Sequence, residues 1–315
     1  MEDSGGRRLL IVGGTGFLGC AFANWASERG AKVFVCARAV PKLRSFAPKI
    51  DVALADATDI VGLSRVFDRA KPDVVLFAVS QILPRSEQAA GYRALGAEIR
   101  ALLSTLECIS ESGCGKLIYL SSAGAIYGGG PKAFTEDDPV SPKSLYGKLK
   151  LQAEQLVALL APRAGARYSI LRISNPFGPG QDPCGPQGVI PIFIRRILRG
   201  ESISIFGSDQ ARKDYIYIDD LNRAVWRSIE ECGDQVFNIG SGASTRLDSL
   251  LRLIESECGK RAVTVASALG ATEVESFSVS VGRAERLLKW KAETSMPEGI
   301  KKTRQWIESL APAIQ

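Results

Sequence analysis

Short apolar runs rich in β-branched residues alternate along the first half of the chain with longer stretches in which apolar positions recur at helical spacing. The runs Leu9 to Val12, Lys32 to Cys36, Val52 to Ala55, Val74 to Ala78, Leu117 to Leu120 and Tyr168 to Ile173 predict buried strands. Between them, Phe17 to Glu28, Ile60 to Arg69, Glu98 to Glu111 and Leu145 to Leu160 predict helices. Strand and helix in alternation imply an α/β fold with a doubly wound parallel sheet and right-handed crossovers. After Ile173 the texture changes to a Gly- and Pro-rich loop region, Asn175 to Gln181 and then Cys184 to Gly188. A first domain over 1–173 and a smaller C-terminal α/β lobe over 174–315 are expected. In that lobe the pattern predicts helices at Val189 to Leu198, Leu247 to Cys258 and Pro297 to Leu310, and a strand near Ile203 to Phe206. Tyr215 to Ile218 followed by Asp219 to Ile229 reads as strand then helix, and 211–241 is expected to return to the first sheet. No internal repeat or low-complexity segment interrupts the pattern.

Composition narrows the chemistry. The 315 residues are 45% hydrophobic and 23% charged, as in an ordinary soluble chain. The net charge of +6 is spread out, with no run of five like charges, so no nucleic-acid partner is expected; mild basicity suits an anionic small molecule or a solvated surface. Seven scattered cysteines without a C-x-x-C pair suit reduced thiols and a cytoplasmic location. No apolar run approaches the roughly 18 residues that span a bilayer, and Leu9 to Val12 is too short for a signal-peptide core, so no membrane association is expected. The chain has no histidine, which excludes Ser-His-Asp hydrolysis, Cys-His nucleophiles and His-ligated zinc. Proton transfer falls to carboxylate, Lys, Tyr or Cys, and no metal is expected.

Between the first strand and first helix, Gly13, Gly16 and Gly19 form G-x-x-G-x-x-G. Such glycines allow a tight turn and let backbone N–H groups approach a pyrophosphate at the helix N-terminus, which predicts a Rossmann-type dinucleotide site. The second strand ends at Cys36-Ala37-Arg38, with no acid to accept from the ribose hydroxyls. Arg38, aided by Lys42 or Arg44, suits a 2′-phosphate, so NADP is favoured over NAD. Asp56 ends the third strand as a candidate acceptor for the adenine amino group or as a helix cap. Tyr146 and Lys150 stand at i and i+4 on one helical face, so the ammonium can stabilise a phenolate that exchanges a proton with a sugar or alcohol hydroxyl. Ser121-Ser122 precedes them at the C-terminal end of a strand, where ligands gather in doubly wound sheets.

Together these segments resemble the extended short-chain dehydrogenase/reductases, in their NAD-dependent epimerase/dehydratase branch. The resemblance covers nearly the whole chain. Besides the motifs above it is carried by Ala125-Ile126-Tyr127-Gly128, Leu171 to Gln181, Asp214 to Asp220, Phe237 to Gly242 and Leu287-Leu288-Lys289-Trp290. It implies catalysis by Tyr146, Lys150, Ser122 and Ser121, and cofactor contacts from Gly13, Thr15, Gly16, Phe17, Leu18, Gly19, Asp56, Ala57, Ala78, Pro176 and Phe177. It also implies nucleotide-sugar contacts from Ser80, Ser122, Asn175, Val189, Ile190, Arg212 and Lys213, and a homodimer through Glu98 to Glu111 and Leu145 to Leu160.

Departures from the family pattern select among reactions. Ala123 replaces the usual Ser or Thr, leaving Ser122 to serve, and Gly124-Ala125 replaces the dehydratase Asp-Glu pair, which argues against 4,6-dehydration. Glu98 replaces an Asn, Lys213 replaces an Arg, and Ala266 to Phe277 lacks a second diphosphate-binding Arg. The leading expectation is a nucleotide-sugar 4-epimerase with Tyr146 as acid and base. An NADPH-dependent 4-keto-sugar reductase and a non-catalytic NADP-binding sensor or scaffold are the alternatives.

Overall fold

A computed structural model describes residues 6–40, 45–80, 91–230, 233–267, 274 and 276–310. The elements run β1 (Arg8–Val12), α1 (Phe17–Glu28), β2 (Lys32–Ala37), β3 (Asp51–Leu54), α2 (Ile60–Ala70), β4 (Val74–Phe77), α3 (Gly91–Ser112) and β5 (Lys116–Ser122). They continue as α4 (Ala123–Ile126), β6 (Ala133–Phe134), α5 (Leu145–Leu160), β7 (Arg167–Ile173), β8 (Asn175–Phe177), α6 (Val189–Arg199), β9 (Ser202–Phe206), β10 (Arg212–Tyr217), α7 (Ile218–Glu230) and β11 (Gln235–Ile239). The last are β12 (Ser244–Arg246), α8 (Leu247–Cys258), β13 (Val263–Ser267), β14 (Ser276–Val279), α9 (Gly282–Leu287) and α10 (Met296–Ser309).

Seven strands form one sheet in the order β11-β7-β5-β4-β1-β2-β3, and β1 runs parallel to both β2 and β4. The order reverses at β1, which creates the switch point where doubly wound sheets bind ligands beyond the strand ends. The continuous apolar runs follow from this position. Leu10, Ile11 and Val12 are fully buried because a central parallel strand is covered on both faces. Helices begin and end where local chemistry stops them: the Asp59 side chain accepts from the Val61 N–H at 3.1 Å to cap α2, and Lys71 closes that helix in the left-handed region.

The chain divides into two compact units, the first comprising Met1–Ser122, Leu145–Arg172 and Asn222–Phe237, the second Ala123–Ser144, Ile173–Leu221 and Asn238–Gln315. In the first unit, the late segment is held by Trp226 edge-on to Trp25 at 5.6 Å and by Asp234, which accepts from the Tyr168 N–H at 2.9 Å. The second unit holds a five-stranded sheet of β12, β10, β14, β6 and β8, and a separate parallel pair, β13 with β9. Its hub is buried Asp214, whose carboxylate accepts from the Ser241 N–H at 2.8 Å and hydroxyl at 2.9 Å, and from the Val279 and Gly242 N–H groups. Asp220 is structural too, since its carboxylate accepts from the Thr294 N–H at 3.0 Å and its carbonyl from the Trp290 indole at 2.9 Å.

The expected return of 211–241 is corrected in its first part. The strand through Tyr215 is β10, which pairs with β8, β12 and β14, so it joins the second sheet; β11 supplies the strand that returns. Both strands end in buried apolar residues, and the partner is chosen by pairings distant in sequence that hydrophobicity does not encode.

Candidate active site

The glycine turn is built by close approach. Gly13 has φ +85°, and a Cβ there would lie 2.8 Å from the Val79 nitrogen and 2.9 Å from the Ala78 carbonyl carbon. At Gly19 a Cβ would lie 2.8 Å from the Gly13 oxygen, so this glycine lets α1 pack onto the turn. Gly16 differs: a Cβ would meet only the Gly13 oxygen, at 3.5 Å, and the residue is exposed. It also N-caps α1 without a side-chain hydrogen bond, and no acid occupies the first turn. The first helical i→i−4 bond runs from the Cys20 N–H to the Gly16 carbonyl, so the amides of Phe17, Leu18 and Gly19 lie ahead of it. An open N-terminus with no competing carboxylate fits a pyrophosphate.

Around this turn, Thr15, Phe17 and Leu18 are half-buried, and Ala78 follows β4 directly, its N–H donating to the Val12 carbonyl at 2.8 Å. Ser80 is exposed two residues on, and Ala57 is buried at the end of the β3 loop. Arg38 is exposed directly after β2; Lys42 and Arg44 lie outside the described residues. Asp56 accepts from the Thr58 N–H and hydroxyl, each at 2.9 Å, and these bonds together with nearby Arg38 hold its carboxyl below the usual aspartate value. The cap of α2 is Asp59 rather than Asp56, which forms a local turn.

On α5, Tyr146 is half-buried and Lys150 is buried one turn on, its Nζ 5.7 Å from the Tyr146 ring centre. Lys150 donates to Glu98 Oε1 at 2.9 Å, a pair whose side chains are only 3% and 2% exposed. Tyr119, from β5, brings its ring to 5.3 Å from the same ammonium. Its hydroxyl has no hydrogen-bond partner among the described residues, and burial pushes it well above the usual phenol range despite the pull of Lys150. Burial works against the Lys150 ammonium, but Tyr119, Glu98 and Tyr146 outweigh it, and the group is held charged above the ordinary lysine value.

Ser121 and Ser122 end β5 but differ in surroundings. The Ser121 hydroxyl donates to Glu154 Oε1 at 2.6 Å, in a buried network where Arg172 also donates to Glu154 at 2.8 Å and 3.1 Å. Ser122 is half-buried. Of these neighbours, sequence reasoning singled out Glu98 only as a departure and missed Tyr119, Glu154 and Arg172, because each pairs across many residues.

The remaining expected residues belong to the second unit. Asn175 commits its side-chain N–H to the Asp214 carbonyl at 2.7 Å. Phe177 is 3% exposed and packs edge-on against Tyr215 and Tyr217, and Ile190 is 1% exposed on the apolar face of α6. The side chains of Phe177 and Ile190, expected at the ligand, instead fill the core. Pro176 and Val189 are half-buried; Arg212 is exposed opposite Arg246, and Lys213 half-buried opposite Thr245. Among the described residues, no cluster of metal-ligating side chains is gathered and no helix is long and apolar enough to cross a membrane. The free cysteines Cys20, Cys36, Cys108 and Cys114 are buried; burial, with Asp56 nearby, pushes Cys36 up to about 11.

Comparison with known proteins finds a match to the NAD dependent epimerase/dehydratase family over residues 9–240. The chain is 31% identical to dTDP-4-dehydro-6-deoxyglucose reductase of Escherichia coli, over 93% of this chain and 95% of that protein. Among solved structures it is similar to UDP-glucose 4-epimerase of Thermotoga maritima with UDP-glucose, with a TM-score of 0.91 and 30% identity over 96% of this chain and 99% of that one. UDP-glucose 4-epimerase of Thermus thermophilus in complex with NAD gives a TM-score of 0.90 at 25% identity, over 96% and 99% of the two chains.

Proposed function

The chain belongs to the NAD dependent epimerase/dehydratase family, and from that premise we propose that it is a nucleotide-sugar 4-epimerase acting through transient oxidation at C4. The observation that carries the reading is Tyr146 one helical turn from buried Lys150, in the unit that also holds the glycine turn. A nicotinamide, when bound, supplies the hydride chemistry. The chain's own residues handle protons and position. Tyr146 takes the C4-hydroxyl proton and returns it after the ketone presents its other face. Lys150, fixed by Glu98, stands one turn from Tyr146 and would bond the nicotinamide ribose, while Ser122 offers the hydroxyl that Ala123 lacks and Ser121 holds the strand end through Glu154. The α1 N-terminus receives the pyrophosphate, and Arg38 favours NADP. We extend the proposal to a homodimer through α3 and α5, on which Leu103 and Leu159 are 41% and 53% exposed.

A second reading, an NADPH-dependent 4-keto-sugar reductase, is favoured by Arg38 after Ala37 and by the Escherichia coli reductase among the relatives. Incubation with UDP-, dTDP- and GDP-sugars separates the two. Interconversion of C4 epimers without net redox supports the epimerase, and stoichiometric NADPH consumption with a 4-keto sugar supports the reductase. Tyr146→Phe is expected to lower either rate by about 100-fold or more while the dinucleotide still binds; turnover at the native rate refutes both.

A further inference from the structure

A carboxylate lies buried beside the one lysine that the proposed chemistry needs as a cation. Glu98 projects from α3 to accept from Lys150 Nζ at 2.9 Å, across 52 residues of sequence. Burying both groups is costly unless each satisfies the other, so the contact fixes where the ammonium sits. It also changes what Tyr146 experiences. A lone ammonium one turn away favours the phenolate, whereas an ion pair presents little net charge.

Among the described residues, Lys150 of the same helix stands 5.7 Å from the Tyr146 ring centre, and that ammonium is met by Tyr119 of β5 and Glu98 of α3. Tyr119 is fully buried, and burial pushes its hydroxyl well above the usual phenol range. Further along, Glu154 of α5 and Arg172 of β7 pair at 2.8 Å and offset one another. Lys150 thus stands beside Tyr146 already paired with Glu98.

We propose that Glu98 is a charge-compensating positioning residue, which withholds the Lys150 charge from Tyr146 so that the phenol enters the reaction with its proton on. The inference rests on the reading of Tyr146 as the proton-handling residue and deepens it. A protonated phenol is ready to give: a carbonyl carbon gains hydride from a reduced nicotinamide dinucleotide, its oxygen takes the Tyr146 proton, and the phenolate recovers a proton from solvent, leaving an alcohol and the oxidised dinucleotide. Taking a proton from a hydroxyl first requires the phenolate, which Glu98 disfavours. The pair thus favours the ketone-reducing half of the epimerase cycle and, with it, the reductase reading.

Tyrosinate absorbance of the purified chain tests this without substrate. The Tyr146 signal is the difference between native and Tyr146→Phe protein, and in the altered background between Glu98→Gln and Glu98→Gln/Tyr146→Phe. The expected result is a shift to lower pH by about one unit on Glu98→Gln, with a return toward the native position when Lys150→Met is added. Glu98→Asn, a shorter neutral acceptor, is the second variant should Glu98→Gln not fold, and is expected to shift in the same direction. A titration unmoved, or moved to higher pH, overturns the proposal; a merely structural role for Glu98 changes stability and leaves the titration in place. Native turnover by Tyr146→Phe would instead overturn the underlying reading, with the effect of Glu98 on the titration still measurable.

Discussion

The Ser121 hydroxyl stands 2.6 Å from Glu154 Oε1 and donates to it, in a contact closed off from solvent. Arg172 holds the same carboxylate, so three side chains from β5, α5 and β7 are locked together. This commits the Ser121 hydroxyl to architecture, whereas Ser122, half-buried at the strand end, is the serine proposed to meet substrate.

The two serines are expected to separate stability from turnover. Ser121→Ala removes a donor from a buried carboxylate and lowers unfolding free energy by about 1–3 kcal/mol. Ser122→Ala leaves stability near native and lowers turnover by roughly 10- to 100-fold. Urea denaturation and steady-state rates on the same preparations check both; a stable, inactive Ser121→Ala would reverse the assignment.

The glycine turn predicts a similar division. Gly13→Ala puts a Cβ 2.8 Å from backbone at φ +85° and is expected to cost about 2 kcal/mol or more. Gly16→Ala meets no contact closer than 3.5 Å, so its stability stays within about 0.5 kcal/mol of native. Its methyl nonetheless stands at the approach to the α1 amides, and dinucleotide affinity is expected to fall by about tenfold. Calorimetric binding alongside thermal melts tests the contrast.

Arg38→Ala is expected to weaken NADPH binding by about 10- to 100-fold and to change NADH binding little, because only the former carries a 2′-phosphate for a guanidinium to grip. Equal losses for both dinucleotides would assign Arg38 elsewhere and return the preference to NAD.

Asp214 predicts a pH dependence of stability. Burial raises its carboxyl above the ordinary value of 3.8, against the hydrogen bonds from Ser241, Val279 and Gly242. The folded chain therefore keeps this proton when the unfolded chain has lost it. The contribution is intact below the unfolded value and is lost as pH rises through the folded one. Asp214→Asn removes that decline, although its amide mismatches the donors around it and lowers stability at every pH. Urea midpoints from about pH 3.5 to 7 compare the slopes, and parallel curves for the two proteins would dismiss the assignment.

Much of this was legible because the signals were local. Helices α1, α5 and α8 begin and end where their apolar spacing places them, and the glycine turn and the Tyr146–Lys150 spacing lie within single elements. α3 begins at Gly91, seven residues before the expected Glu98, since the two glycines at 91 and 96 mask a helical start that continues into the apolar stripe. Partners distant in sequence were not legible. Glu98 could be noted as an odd acid, but nothing in its neighbourhood pairs it with Lys150, and the apolar character of Phe177 and Ile190 suits a pocket wall as well as a core.

The first unit is not contiguous in the chain. Its sheet ends in β7 and β11, yet Asn222–Phe237 follows a long insertion that belongs to the second unit. A ribosome releases residues in order, so while the intervening stretch is being made β7 waits with an unpaired edge. The nascent protein is then most open to mispairing, and a chaperone acting at that interval is expected to govern yield more than any single contact in the finished molecule.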